Sequence, residues 1–174
     1  MNLLEQFQHI KAFVFDLDGV LTDGSLLILP GQEFVRTMDI KDGYALQHAV
    51  KKGYHVVVIS GSSSKACAER LEYLGICNVY MKVKDKEEVL AQYLLAHNLL
   101  WEQVLFMGDD IPDLEVMKQV GLPCCPNDAV NDIKTVSKFI STKSGGKGCV
   151  REVIEKVLRL NNDWVLSSTG TAAV

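Results

Sequence analysis

The sequence predicts an α/β fold in which a parallel sheet lies between two layers of helices. The chain has 174 residues, 48% of them hydrophobic, which is enough for one well-buried domain and short for two. Short apolar runs alternate with helical patterns of about ten residues, as in βαβ units. One exception lies at residues 21–40, where two extended arms flank Pro30 and Gly31. We therefore expect a Rossmann-like three-layer sandwich with a small β-hairpin insertion.

The strand and helix candidates follow one another along the chain. Apolar runs predict strands at residues 12–16, 55–60, 78–81, 104–108, 122–125 and 138–141. Helical patterns cover residues 44–52, 64–74, 86–97, 112–120, 129–136 and 147–160. Gly53 and Gly75 stand where two of these helices should end. Residues 1–160 are thus expected to form a single domain that includes the hairpin, and residues 161–174 a C-terminal tail.

The composition and charge argue against several classes of function. A net charge of -4 and a pI near 5.5, without a cluster of basic residues, disfavour nucleic-acid binding. Because the first residues lack a signal-peptide pattern and no apolar run is long enough to span a membrane, we expect a cytoplasmic protein without membrane contact. The five cysteines show no CxxC pairing and the four histidines no i, i+4 pair, so we expect reduced cysteines and no zinc site.

Polar clusters follow the predicted strands. The first strand ends in residues 16–19 (DLDG), the second in residues 60–63 (SGSS) and the fourth in residues 108–113 (GDDIPD), and Lys86 begins the helix after the third strand. Taken singly, each cluster has an ordinary explanation as a turn or a helix cap. Because parallel strands place their carboxyl ends at one edge of the sheet, the four clusters together predict a common site.

These clusters contain the groups that phosphoryl transfer requires. Carboxylates repel a phosphate dianion, and oxygen ligands without paired His or Cys favour Mg²⁺ as the cation that offsets this repulsion. Asp16 can then attack phosphorus. Ser60, the backbone N–H groups near Gly61 and the Lys86 ammonium can neutralise the phosphate oxygens. Asp18, if it lies near the leaving oxygen, can protonate that oxygen and later take a proton from the attacking water.

The four clusters resemble the motifs of the haloacid dehalogenase superfamily of phosphohydrolases, over nearly the whole chain. DLDGVLTDG resembles the first motif, Ser60 the second, Lys86 the third and GDDIPD the fourth. Many members carry a cap domain between these motifs. The corresponding segments here are too short for one, so the resemblance implies a phosphatase without a cap domain and with an open site.

The resemblance also implies a role for each acidic residue of the motifs. Asp16 would be the nucleophile and Asp18 the acid/base. Mg²⁺ would be bound by Asp16, the main-chain carbonyl of Asp18 and Asp109. Either Asp110 or Asp113 would support the metal, through water or through the motif-three lysine.

Segments outside the motifs resemble one branch of the superfamily, the tetrameric 3-deoxy-D-manno-octulosonate 8-phosphate phosphatases. These segments are LTDG, the hairpin, DIKDGYALQHA and SGGKGCVRE. The resemblance implies a small phosphorylated sugar acid as substrate and the lipopolysaccharide precursor KDO as product. It also implies a homotetramer with shared active sites, in which the hairpins form the contacts and a C-terminal segment reaches a neighbouring site. The candidate substrate-binding residues are Gly19, Asp42, Gly43, Gly61, Ser62 and Arg70.

Several alternatives stay open at the level of sequence. A related phosphatase acts on 2-keto-3-deoxynononate 9-phosphate and shares every catalytic motif, but it carries an acidic residue where this chain has Ser62, which favours the eight-carbon substrate. Arg70 either clamps the substrate carboxylate or pairs with Glu69 or Glu72. A receiver-like signalling domain also places acidic residues and a lysine at strand ends, yet it has no use for an acid/base such as Asp18. A capless phosphatase for protein or nucleic-acid ends is disfavoured by the acidic balance.

Overall fold

Six parallel strands form the main sheet in the part of the chain that the structure describes. A computed structural model describes residues 2–31 and 33–164. The elements in chain order are α1 Leu3–His9, β1 Ala12–Phe15, β2 Leu27–Leu29, β3 Glu33–Val35, α2 Ile40–Lys51, β4 His55–Ile59, α3 Lys65–Tyr73, β5 Asn78–Tyr80, α4 Lys86–His97, β6 Val104–Met107, α5 Leu114–Gln119, β7 Leu122–Cys125, α6 Asn131–Val136, β8 Phe139–Ile140 and α7 Cys149–Leu160. The strand order is β5-β4-β1-β6-β7-β8, and β2 and β3 form a separate pair.

The position of β1 in the middle of the sheet determines where the polar clusters meet. All four residues of β1 are fully buried, because helices cover both faces of the sheet. Its last residue, Phe15, pairs with Val58 of β4 on one side and with Met107 of β6 on the other. The three strands therefore end at the same edge, and the residues that follow them lie side by side.

Helices cover both faces of the sheet and bury two hydrophobic clusters. Alternate residues of β1 belong to different clusters, Phe13 to one and Val14 to the other. Leu46 and Val153, from α2 and α7, are buried on the first face, and Leu90 of α4 is buried on the second. Each such side chain contributes about 1.5–3 kcal/mol of hydrophobic stabilisation. This arrangement confirms the predicted three-layer sandwich.

Helices α1 and α2 depart most from the prediction, whereas α5, α6 and α7 each begin two residues later than predicted. Helix α1 was not predicted, since its seven residues are too few to show a clear apolar period; a reciprocal pair of hydrogen bonds between Asn2 and Glu5 caps it. Helix α2 begins at Ile40 rather than at residue 44. Asp39 caps it by accepting a hydrogen bond from the backbone of the second helical residue at 2.7 Å. Gly43 in the first turn is a poor helix former, which is why the helical pattern becomes visible only after it.

The predicted hairpin insertion is confirmed between β1 and α2. Its strands β2 and β3 are antiparallel, and a bridge between Thr22 and Met38 closes its base. Apolar side chains on it face solvent: Leu27 is 61% exposed, Ile28 69% and Phe34 51%. Between β4 and α4 the described chain holds only α3 and β5, so neither connection contains a cap domain.

The start of the predicted tail packs against the domain. Helix α7 ends at Leu160, as expected, but Trp164 is buried and its ring lies 5.0 Å from that of His48 and 6.1 Å from that of Tyr44. Residues 165–174, the rest of the predicted tail, lie outside the described residues.

The cysteines and the lengths of the helices bear on two expectations from the composition. The five cysteines are free thiols; Cys67, Cys124, Cys125 and Cys149 are buried, whereas Cys77 is exposed. In residues 2–31 and 33–164, none of the helices combines the length and the apolar character that a membrane span requires.

Candidate active site

Residues from three strand ends and one helix start meet at the carboxyl edge of the sheet. Asp16 follows β1, and its backbone N–H donates to the carbonyl of Met107 at 3.0 Å. Ser60 follows β4, and Asp109 lies two residues beyond the end of β6. Lys86 is the first residue of α4, as the sequence predicts. The register of the parallel strands thus brings together the clusters that are far apart in the chain.

Lys86 lies between two carboxylates. Its Nζ is 2.8 Å from Oδ1 of Asp16 and 2.6 Å from Oδ1 of Asp113. All three side chains are buried, with 6%, 12% and 1% of their surface exposed. Burial lowers the pKa of Lys86, but the two carboxylates outweigh this effect and the pKa lies above its usual value. The lysine is therefore a fixed positive charge beside the proposed nucleophile.

A third carboxylate completes the cluster. Ligand oxygens of Asp16, Asp109 and Asp113 all lie within 4.8 Å of one another. Asp113 also accepts a hydrogen bond from the backbone N–H of Asp109 at 3.1 Å, which ties the two residues of this loop together. Asp110 is exposed and accepts from the N–H of Ile111 at 2.8 Å, so it caps a turn outside the cluster. Of the two supporting residues left open by the sequence, the geometry favours Asp113.

Gly19 leaves the space that Asp109 occupies. The backbone of Gly19 has φ +84°, and a Cβ added there would lie 2.0 Å from Oδ2 of Asp109 and 2.4 Å from its Cγ. A side chain at this position would therefore displace the carboxylate as well as strain the backbone. Gly19 was predicted to let the backbone approach phosphate; its contact in the structure is with the carboxylate cluster.

The crowded carboxylates hold their protons more tightly than usual. Burial, followed by repulsion from Asp113, raises the pKa of Asp16 to about 6, although Lys86 opposes the change. Burial and then Asp16 and Asp113 raise the pKa of Asp109 to about 7. A cation between these oxygens would remove the repulsion and favour the ionised forms.

Two observations indicate that the cluster fits a divalent metal. Its donors are carboxylate oxygens, the ligand type that hard cations prefer. Oδ1 of Asp109 is buried and has no hydrogen-bond partner in the described part of the chain. A buried carboxylate oxygen without a partner is costly, and a bound cation would supply the missing contact.

The residues after β4 line one side of a groove of about 850 Å³, which has the hairpin on its other side. Ser60 is 1% exposed, and its Oγ accepts from the N–H of Ser62 at 3.1 Å. Ser62 in turn accepts from the N–H of Ser64 at 3.2 Å. Gly61 is exposed in the turn between them. Arg70 lines the groove, and a Cβ added to Gly43 would lie 3.5 Å from its Nη2.

Asp18 has a partner that the sequence did not predict. Nε of Arg36 donates to Oδ1 of Asp18 at 2.6 Å and Nη2 donates to Oδ2 at 3.2 Å. Arg36 belongs to the hairpin, and its side chain is 10% exposed, against 38% for that of Asp18. One feature of the sequence could have indicated this pair: Arg36 is the only lysine or arginine between residues 19 and 40.

Asp42 makes a different contact from the one expected of a substrate-binding residue. It is 1% exposed, and its two carboxylate oxygens accept from the backbone N–H groups of Gly148 at 3.2 Å and Arg151 at 2.6 Å. Asp42 therefore caps the N-terminus of α7, and burial is the main reason that its pKa is raised to about 6. The structure thus gives Asp42 a contact within the fold, and its role in substrate binding stays a prediction.

The segment SGGKG, at residues 144–148, packs against the first motif of the same chain. The N–H of Gly146 donates to the carbonyl of Val20 at 2.9 Å, and a Cβ on Gly145 would lie 1.9 Å from the carbonyl oxygen of Gly19. The glycines thus allow two backbone segments to touch. The segment at residues 144–148 therefore packs against the loop after β1 of its own chain.

Known proteins are similar to this chain in sequence and in fold. The family profile of the haloacid dehalogenase-like hydrolases matches residues 72–154. The 3-deoxy-D-manno-octulosonate 8-phosphate phosphatase KdsC of Yersinia pestis is 30% identical over 169 residues, covering 97% of this chain and 90% of that protein. This chain belongs to the haloacid dehalogenase-like hydrolases, in the family of that phosphatase.

Solved structures of the phosphatase family agree with this assignment. The 3-deoxy-D-manno-octulosonate 8-phosphate phosphatase of Moraxella catarrhalis, in complex with magnesium, phosphate and KDO, has a TM-score of 0.89 and 30% identity, covering 92% of each chain. The cobalt-bound deoxy-D-mannose-octulosonate 8-phosphate phosphatase of Haemophilus influenzae has a TM-score of 0.86 and 27% identity, covering 90% of this chain and 92% of that one. This chain is therefore a phosphoric monoester hydrolase, and the receiver-like alternative is set aside.

Proposed function

We propose that this hydrolase converts 3-deoxy-D-manno-octulosonate 8-phosphate and water into KDO and inorganic phosphate, through an aspartyl-phosphate on Asp16. The observation that carries the proposal is the buried cluster of Asp16, Asp109 and Asp113 around Lys86, with Asp18 two residues beyond the nucleophile. Similarity to phosphatases of that substrate over 97% of the chain supports the choice of substrate. Residues 1–160 act as one catalytic domain in this proposal.

Magnesium is the proposed cofactor. Asp16, Asp109 and the main-chain carbonyl of Asp18 would hold it, and Asp113 would support the site through its ion pair with Lys86. The magnesium in the Moraxella relative supports this choice. When bound, the ion neutralises part of the charge on the phosphate and the carboxylates, so that an anionic nucleophile can approach an anionic substrate.

In the first half of the reaction, Asp16 attacks phosphorus. A bond forms between a carboxylate oxygen and phosphorus as the bond from phosphorus to the sugar oxygen breaks, and Asp18 gives its proton to that departing oxygen. Lys86, 2.8 Å from Asp16, favours the ionised nucleophile. Ser60 and the backbone N–H groups near Gly61 bind the remaining phosphate oxygens.

In the second half, water cleaves the aspartyl-phosphate. Asp18 takes a proton from the attacking water, the water oxygen bonds to phosphorus, and the bond between phosphorus and Asp16 breaks. Inorganic phosphate leaves, Asp16 is again a carboxylate, and Asp18 is again protonated. The two aspartates lie in different surroundings: Asp16 is buried beside Lys86, whereas Asp18 is partly exposed beside the hairpin.

The groove between the hairpin and the start of α3, whose lining includes Ser63 and Ser64, is the proposed site for the sugar acid. Arg70 lines it, and its guanidinium can pair with the substrate carboxylate through two hydrogen bonds. Gly43 lies beside that guanidinium, and Ser62 lies in the turn that leads from Ser60 into α3. An acidic residue in place of Ser62 would favour the nine-carbon relative of the substrate, which is the second candidate.

A homotetramer with shared active sites is the proposed assembly. The supporting observation is the hairpin, whose apolar side chains are exposed: Leu27 is 61%, Ile28 69% and Phe34 51% exposed. Apolar surface of this kind commonly marks a protein contact. Sedimentation velocity tests the assembly, and a monomer in solution would favour instead the capless phosphatase that acts on large substrates.

Phosphate release by Asp16→Asn tests the central assignment. The substitution removes the nucleophile but keeps the size of the side chain, so phosphate release with Mg²⁺ present should fall to background. Asp132→Asn, at an exposed position on α6, is the matched control and should retain activity. Retained turnover by Asp16→Asn would overturn the mechanism. Specificity constants for the eight-carbon and nine-carbon acid phosphates then decide the substrate, and a higher value for the nine-carbon compound would overturn the first choice.

A further inference from the structure

The ion pair between Arg36 and Asp18 joins the hairpin to the first motif. The guanidinium forks onto both carboxylate oxygens, at 2.6 and 3.2 Å, which fixes the plane and the direction of the carboxylate. In the described part of the chain, the Asp18 carboxylate accepts these two hydrogen bonds and no others. Its orientation therefore depends on Arg36.

Asp18 needs such a restraint because its surroundings supply little else. Its side chain is 38% exposed, and its backbone, with φ −78° and ψ 122°, lies in an extended turn immediately before Gly19. Asp16, by contrast, is buried and held by Lys86. An exposed carboxylate on a turn would otherwise sample several rotamers, and proton transfer requires one of them.

The backbone of Arg36 is held on both sides. Strand β3 ends at Val35, and the bridge between Thr22 and Met38 follows two residues later. Thr37 donates a hydrogen bond to Asp23 at 3.4 Å, which ties the same segment to the loop after β1. The guanidinium also donates to the carbonyl of Phe34 at 3.2 Å. These contacts hold the segment that carries Arg36 against the loop after β1.

We propose that Arg36 is a positioning residue that holds the carboxyl group of Asp18 in line for its two proton transfers. The inference rests on the proposed function. Each carboxylate oxygen that accepts from Arg36 keeps a second lone pair, which can carry the proton that passes to the sugar oxygen and is later recovered from water. Arg36 itself neither gains nor loses a proton, and it does not touch the reacting phosphorus.

Replacement of Arg36 should slow the proton transfers of Asp18 more than the other steps of the reaction. In Arg36→Gln, kcat for the sugar-acid phosphate is expected to fall on the order of 10-fold to 100-fold, since general acid/base catalysis contributes about 10² to 10⁴. KM should change little. With p-nitrophenyl phosphate the departing nitrophenolate needs no proton, so the first half of the reaction should survive and hydrolysis of the aspartyl-phosphate should become slow. Rapid acid quench should therefore find a larger fraction of Arg36→Gln than of the unaltered enzyme as phosphoenzyme.

Three further variants make the experiment decisive. Asp18→Asn should show the same accumulation of phosphoenzyme more strongly, and Arg36→Lys, which keeps the charge but loses the fork, should fall between Arg36→Gln and the unaltered enzyme. Arg159→Gln removes a comparable arginine, 2.8 and 2.6 Å from Glu155 on α7, and should leave the phosphoenzyme fraction unchanged. Circular dichroism establishes that each variant is folded.

The results separate this inference from the proposed function. Turnover by Asp16→Asn would overturn the proposed function whatever the Arg36 variants do. If Asp18→Asn accumulates phosphoenzyme and Arg36→Gln does not, the positioning role alone is overturned. A loss confined to KM in both Arg36 variants would also overturn it, because the guanidinium would then bind substrate instead of Asp18.

Discussion

Replacement of Asp109 by asparagine should stabilise the metal-free protein at pH 8 and abolish its response to magnesium. Asp109 is largely buried, faces Asp16 and Asp113, and has a pKa raised from 3.8 to about 7. That change corresponds to about 4 kcal/mol against the ionised form, and partial exposure to solvent reduces it to about 2 kcal/mol. For a chain of this length we expect the unfolding temperature to rise by roughly 4–8 °C.

The direction of the change in stability follows from the pKa of Asp109. The pKa of Asp109 is higher in the folded protein than in the unfolded chain, so its contribution favours folding at low pH and is lost as the pH rises from about 4 to about 7. Above pH 7 the folded protein carries the full penalty, which the neutral amide of asparagine avoids. The advantage of Asp109→Asn should therefore be largest at pH 8 and small at pH 4.

Thermal unfolding in EDTA and in Mg²⁺, at both pH values, measures the effect. The unaltered protein should be stabilised by Mg²⁺ at pH 8, and Asp109→Asn should not. Asp132→Asn is the matched control, since Asp132 is exposed on α6 and lies outside the cluster. A lower unfolding temperature for Asp109→Asn in EDTA at pH 8 would refute the reasoning, because the carboxylate would then be stabilising without a metal.

Three other outcomes follow from the same structure. Because burial and neighbouring carboxylates raise the pKa of Asp16 to about 6 and of Asp109 to about 7, Mg²⁺ should bind about twentyfold more tightly at pH 8 than at pH 6 by calorimetric titration, and a pH-independent affinity would contradict the proposed ligands. Gly19→Ala should lower Mg²⁺ affinity and activity together, because its methyl group would occupy the position of the Asp109 carboxylate; activity close to normal would mean that the loop relaxes. Ile28→Glu should dissociate the proposed tetramer in sedimentation velocity, whereas Lys118→Glu, at an exposed position on α5, should not, and an intact assembly with a charge at position 28 would exclude the hairpin as the contact.

The strands and the cluster were predictable because both depend on features that are visible along the chain. Residues 12–15 form an apolar run that is fully buried in the sheet, and similar runs mark the other strands. Once the strands are known to be parallel, Asp16, Lys86 and Asp113 must lie near one edge, and the structure places them within ion-pair distance.

The contacts of Asp42 and Arg36 could not be predicted in the same way. Asp42 reaches α7 across 106 residues of sequence, and Arg36 reaches Asp18 because the hairpin folds back over the loop after β1. The direction of a hairpin relative to a domain depends on packing between distant segments, which alternation of apolar and polar residues does not encode. The helical pattern of α2 was likewise hidden by Gly43 until the cap at Asp39 was known.

The strands of the hairpin and the segment that follows them differ in chemical character, and this difference relates assembly to catalysis. Strands β2 and β3 expose Leu27, Ile28 and Phe34 to solvent, while the segment after β3 carries Arg36 toward Asp18. An isolated two-stranded hairpin is marginally stable in water, so a partner on these strands would also restrict the segment that follows them. In the proposed tetramer, the contact that covers the apolar strands would therefore hold Arg36 and, through it, Asp18. Dissociation by Ile28→Glu should then lower kcat and raise the phosphoenzyme fraction as Arg36→Gln does, because both changes loosen the same carboxylate.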